Sequence, residues 1–106
     1  MDALPAAISE HLEEIRELCA KHNVVKLTLF GSAAQGTFDP QRSDIDLVVE
    51  FEWHSDPIER GRRYNDLWDG LRDILDRQVD LLVASTIKDP DLAASIEDAH
   101  RDLYAA

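Results

Sequence analysis

The sequence predicts a small α/β (α+β) domain in which a mixed sheet of three or more strands is packed with helices. Three observations carry this. Apolar residues recur at three- and four-residue steps in three long stretches. Three short runs are rich in β-branched and apolar residues, and helical and strand patterns alternate along the chain. The 106 residues fit one domain, expected to span 1–106.

The elements follow in order. Residues 5–22 read as one helix: Pro5 suits the first turn, and Ile8, Leu12, Ile15, Leu18, Cys19 and His22 share a stripe opposite Glu10, Glu13, Glu14 and Glu17. Asn23 is a helix stop. Val24–Phe30 is a strand that ends in Gly31-Ser32, followed by a short helical turn over Ala33–Gly36 and a polar loop over Thr37–Ser43. Along Ile45–Phe51, Ile45, Leu47, Val49 and Phe51 face one way; Asp44, Asp46, Val48 and Glu50 face the other. Asp56 caps a helix from Pro57 to Leu75, with Ile58, Leu67, Trp68, Leu71, Ile74 and Leu75 toward the core. Val79–Ala84 is a third strand. Asp89-Pro90 opens a last helix whose apolar period continues through Leu92, Ala93, Ile96, Ala99, Leu103 and Tyr104.

Charge narrows the function. With 22 Asp+Glu against 11 Lys+Arg the net charge is −11, which argues against a protein that binds nucleic acid by neutralising phosphates. Met1-Asp2-Ala3 lacks the basic start of a signal peptide, and no apolar run is long enough to span a bilayer, so a cytoplasmic protein without membrane contact is expected. The lone Cys19 fits a reducing compartment, and its place on an apolar stripe points to packing, not reactivity. Arg60, Arg62 and Arg63 read as a solvated face, with a triphosphate contact or a docking surface as the alternatives. The four histidines lack metal-ligand spacing, and Trp53 and Trp68 are expected to pack.

The chemistry concentrates in Leu29–Phe51. A strand that ends in Gly-Ser and enters a tight turn exposes successive backbone N–H groups; Gly31 permits close approach of a ligand and Ser32 adds a hydroxyl, a combination suited to phosphate. Asp44 and Asp46, two apart on a strand, point the same way. Hard oxygen donors on a rigid strand suit Mg²⁺, which recruits waters and substrate phosphates to complete its octahedron. Asp80 stands inside the apolar run Val79–Val83, where a carboxylate is costly unless paired, solvated or metal-bound. If the third strand lies beside the second, Asp80 joins Asp44 and Asp46 in a cluster able to hold two divalent ions, and it is the natural general base.

Gly31-Ser32, Asp44-x-Asp46 and Val79-Asp80-Leu81 together resemble the nucleotidyltransferase superfamily that includes DNA polymerase β, and the short chain is similar to its minimal members, the MNT proteins. The resemblance covers nearly the whole chain from about residue 24. It implies the polymerase β-like fold and Mg²⁺-dependent nucleotidyl transfer from an NTP with release of pyrophosphate. Gly31 and Ser32 would hold the β- and γ-phosphates, Asp44 and Asp46 would bind both metals, and Asp80 would complete the catalytic metal site. MNT proteins are antitoxins of HEPN ribonuclease toxins, so the implied reaction moves AMP from ATP onto a toxin tyrosine. The alternatives are an antitoxin that neutralises by binding alone and a nucleotidyltransferase acting on a small molecule. Two departures stand out. Ala33-Ala34-Gln35 replaces a segment that carries an arginine in many relatives, for which Arg42 is the candidate substitute; Asp76-Arg77-Gln78 replaces a turn that often holds glycine. The acidic helix faces would suit and steer a basic protein partner.

Overall fold

A computed structural model describes residues 4–31, 34 and 44–106. Ser32, Arg42, most of the turn over 33–36 and the loop over 37–43 lie outside the described residues. The elements are α1 (Ala6–Ser9), α2 (Leu12–Lys21), β1 (Val24–Phe30), β2 (Ile45–Phe51), α3 (Pro57–Leu75), β3 (Val79–Val83), a 3-10 turn (Ala84–Thr86), α4 (Pro90–Asp98) and β4 (His100–Ala105). The sheet has four strands in the order β3-β2-β1-β4. β1 runs antiparallel to β2 and β4, whereas β2 and β3 are parallel, joined through α3.

The expected single helix over 5–22 is two. His11 leaves helical geometry at φ −117° and ψ 12°. The apolar stripe nevertheless runs on through the break, and Ile8, Ile15 and Cys19 are fully buried. Asn23, at φ 61°, turns the chain from α2 into β1 as a left-handed residue of the type asparagine tolerates. Burial also pushes the Cys19 thiol up to about 12. A thiol that is neither accessible nor ionised is inert, so Cys19 is expected to resist disulfide-exchange reagents in the native protein at neutral pH and to react fully in denaturant.

The second correction is at the C-terminus, where the last helix stops at Asp98 and His100–Ala105 forms β4. Helical and strand patterns both bury Leu103, and long-range pairing decides between them. Leu103 enters the core, Thr28 Oγ1 donates to Asp102 Oδ1 (3.0 Å), and Arg16 Nε donates to the Leu103 carbonyl (3.1 Å).

One face of the sheet carries the core: Leu27, Leu29, Ile45, Leu47 and Val49 meet Ile8, Ile15, Cys19, Leu67, Leu71 and Leu103. Burial of this apolar surface is the main stabilising term. α2 and α3 approach closely at Gly70, where an added Cβ would sit 2.7 Å from Leu18 Cδ2. α3 begins as expected, with Asp56 Oδ1 accepting from the Ile58 N–H (3.0 Å). Its first turn does not reach the core, however: Ile58 is 81% exposed, and Trp53 just before the helix is 77% exposed. Neither packs as expected. Asp76 ends α3 in the left-handed conformation, at φ 50°, which is the role glycine often fills in this turn. No helix among the described residues is long and apolar enough to cross a membrane.

β3 is a sheet edge, and α3 covers it. Trp68 Nε1 donates to the Val79 carbonyl (2.9 Å) and Tyr64 Oη to the Leu81 carbonyl (2.6 Å), whereas the intervening register faces β2. The two rings, four residues apart on one helix face, thus occupy the outward acceptors of the strand.

Candidate active site

The site is assembled by strand register. Asp46 lies directly opposite Asp80 in the parallel β2–β3 pair and opposite Phe30 in the antiparallel β1–β2 pair. Alternation sends Ile45 and Leu47 into the core and leaves Asp46 on the other face, half-buried, with Asp80 beside it. Gly31 follows Phe30 at the end of β1 with φ +70°. A Cβ there would land on Asp46 Oδ2 and lie 3.2 Å from Asp46 Cγ. Only the absence of a side chain at Gly31 leaves the Asp46 carboxylate its place. Ala34, buried, closes the turn by donating its N–H to the Gly31 carbonyl (3.1 Å).

Electrostatics mark the same residue. Burial pushes the Asp46 carboxyl up to about 6 from an ordinary 3.8, reinforced by the Asp80 charge, a hydrogen bond with Asp80, and the Asp44 charge. The structure therefore brings Asp46 and Asp80 into contact, while Asp44 stands exposed at the mouth of β2 and acts on Asp46 through its charge. Among the described residues no three acidic, His or Cys side chains converge as a metal-holding group. The donor set still fits a hard dication. A half-buried carboxylate crowded by two like charges is stabilised by a nearby cation, and its donors are the oxygens that Mg²⁺ prefers.

The remaining candidates fall elsewhere. Arg60, Arg62 and Arg63 lie near the opposite end of β2 from Asp46. Arg62 pairs with Glu59 and Asp66, Arg63 pairs with Glu59 and donates to the Glu52 carbonyl (3.2 Å), and Arg60 donates to the His54 carbonyl (2.8 Å). They serve α3 and its approach, not the carboxylates. Sequence reasoning passed over Trp68 and Arg72 as site neighbours: they line a cleft with Asp80. An indole two turns before the end of α3 gives no local sign that it will meet the next strand.

A mixed sheet with an in-register carboxylate pair against a strand-end glycine is the core of a polymerase β-like nucleotidyltransferase. The chain belongs to that family: the nucleotidyltransferase domain model matches residues 8–103. A Methanocaldococcus jannaschii protein named "putative protein adenylyltransferase" is 36% identical over 95 residues, covering 82% of this chain and 92% of the relative. A solved structure named a "putative minimal nucleotidyltransferase" is 28% identical with a TM-score of 0.69, covering 89% of this chain and 90% of that one. A toxin–antitoxin structure with AMP-PNP matches at 28% identity and TM-score 0.66, over 90% of this chain and 73% of that one. The chain is thus a nucleotidyltransferase, similar to proteins named as acting on other proteins.

Proposed function

We propose that this nucleotidyltransferase moves AMP from ATP onto a tyrosine of a cognate HEPN toxin and so acts as a cytoplasmic antitoxin. The observation that carries the reading is the Asp46–Asp80 pair held in register beside Gly31. The similarity to a protein adenylyltransferase and to a toxin–antitoxin structure supports the choice of acceptor.

In this reading Asp44, Asp46 and Asp80 hold Mg²⁺, which when bound neutralises phosphate charge and polarises the α-phosphate. Gly31 and Ser32 receive the β- and γ-phosphates at the end of β1, with Arg42 as a further phosphate contact. Asp80 takes the proton of the tyrosine hydroxyl as its oxygen attacks the α-phosphorus. The bond from that phosphorus to the bridging oxygen of pyrophosphate breaks, giving tyrosine-O-AMP and pyrophosphate.

Intact-mass measurement of the toxin after incubation with the protein, ATP and Mg²⁺ tests this. The expected result is a gain of one or more AMP units. Neutralisation of the toxin with no mass gain would replace catalysis by sequestration.

A further inference from the structure

β3 and β4 are the two margins of the sheet, so the chain between them must cross it. It crosses the face away from the core, and α4 passes there with no residue of its own buried. Between α4 and the sheet lies a groove of about 320 Å³. Thr28, Val48 and Glu50 line it from the sheet, alternating with core residues, and Ile96, Glu97 and His100 close it from the other side. Register puts the groove on the face of the site carboxylates. Asp80, Asp46, Phe30 and His100 are paired in one row across the four strands, and Thr28 pairs with Val48 in a parallel row. Val48 follows Asp46 by two residues, about 7 Å along β2.

The groove is apolar in its middle and rich in acceptors at its rim. Val48 supplies the sheet side and Ile96 the α4 side. The donors are engaged: Thr28 Oγ1 donates to Asp102 Oδ1 (3.0 Å) and Lys26 Nζ pairs with Asp102 Oδ2 (3.7 Å). The acceptors are the carboxylates of Glu50 and Glu97 and one ring nitrogen of His100. His100 Nδ1 lies 3.1 Å from the Ile96 carbonyl and 3.2 Å from that of Glu97. Carbonyls only accept, so Nδ1 carries the hydrogen and the neutral ring offers Nε2 as an acceptor. A flat, neutral ring that brings its own N–H donors suits such a place; an anion does not.

We infer that the groove seats the base of the substrate nucleotide and that His100 determines base specificity, its Nε2 accepting from the exocyclic amine of adenine. Gly31 and Asp46 lie at the near end of the groove. With the phosphates there, the base lies under α4 and the acceptor keeps the β3 side, at Asp80. The place of the phosphates rests on the nucleotidyl-transfer reading; the acceptor lining of the groove does not.

Calorimetric titration of the full chain with Mg²⁺ tests this with three probes: ATP, inosine triphosphate and inorganic triphosphate. Inosine triphosphate carries a carbonyl where adenine carries its amine, which sets an oxygen against Nε2. ATP is expected to bind about tenfold more tightly than inosine triphosphate, the worth of one hydrogen bond. His100→Ala should bring ATP down to the level of inosine triphosphate. Val48→Phe, which fills the groove, should weaken ATP by about tenfold or more. Both variants should leave inorganic triphosphate unchanged. The assignment is overturned by equal affinity for the two nucleotides, by a difference that survives His100→Ala, by ATP binding that survives Val48→Phe, or by variants that lose inorganic triphosphate along with ATP. Binding of none of the three probes removes it together with the nucleotidyl-transfer reading. The AMP gain of the toxin is read separately. Base discrimination without AMP gain keeps the groove and removes transfer to the toxin; AMP gain without base discrimination does the reverse.

Discussion

Asp46→Asn is expected to raise the melting temperature of the metal-free protein while lowering nucleotidyl transfer by more than about a hundredfold, the loss expected of a ligand in the proposed metal site. Both effects have one origin. The Asp46 carboxyl sits at about 6 against an ordinary 3.8 because burial and the Asp80 and Asp44 charges oppose its ionisation. A folded-state value above the unfolded one means that the fold binds the proton more tightly. This group's contribution is therefore favourable at or below about 3.8 and is lost as pH rises through about 6. At neutral pH the ionised group opposes folding. Discounted for the solvent that reaches it, relief by the neutral amide amounts to about 1 kcal/mol, or roughly 4–8 °C in a domain of this size. Thermal melts across pH check the sign: the wild type should lose stability relative to the variant between pH 3.8 and about 6. Added Mg²⁺ should stabilise the wild type more than the variant. A variant that melts lower than wild type at neutral pH without metal would show that the carboxylates do not repel as placed.

Gly31→Ala is the second large effect. A left-handed alanine costs about 1–2 kcal/mol, and its Cβ would also overlap Asp46 Oδ2. The carboxylate must then swing away from its place beside Asp80, so transfer is expected to fall more than about tenfold, more than the stability change alone explains. A displacement of about 1 Å is enough for such a loss. The double variant with Asp46→Ala separates the two terms: with no carboxylate to strike, only backbone strain remains, and Gly31→Ala should cost less stability in the Asp46→Ala background than in the wild type. An equal cost in both backgrounds would mean that Gly31 and Asp46 do not share this contact.

Most of the site could be read before the fold because its signals are local. Alternation along Ile45–Phe51 is enough to put Asp44 and Asp46 on one face, and a carboxylate inside Val79–Val83 advertises itself by its cost. The β1 and β2 boundaries and both proline-led helices rest on equally short-range patterns. What was not legible depends on residues far apart. His100–Ala105 continues a helical period and becomes a strand only because β1 offers an unpaired edge. The break at His11 leaves the apolar stripe unchanged, so periodicity cannot reveal it. Ile58 and Trp53 show the reverse error: an apolar residue in register with a core stripe stays outside when the helix starts beyond the core's reach. The contact between Gly31 and Asp46, the most constraining feature of the site, needs the register of β1 on β2 before it can be seen.

The capping of β3 by Tyr64 and Trp68 bears on how this protein aggregates. A sheet grows by adding strands to free acceptors and donors at its margins, and here the Val79 and Leu81 carbonyls are already occupied by side chains of α3. On β4 a single side chain does the same, Arg16 donating to the Leu103 carbonyl, so strand addition from crowded copies is biased toward the less heavily plugged β4 margin. Tyr64→Phe, which frees one of the two carbonyls, would open the guarded side to cross-β addition without touching the core.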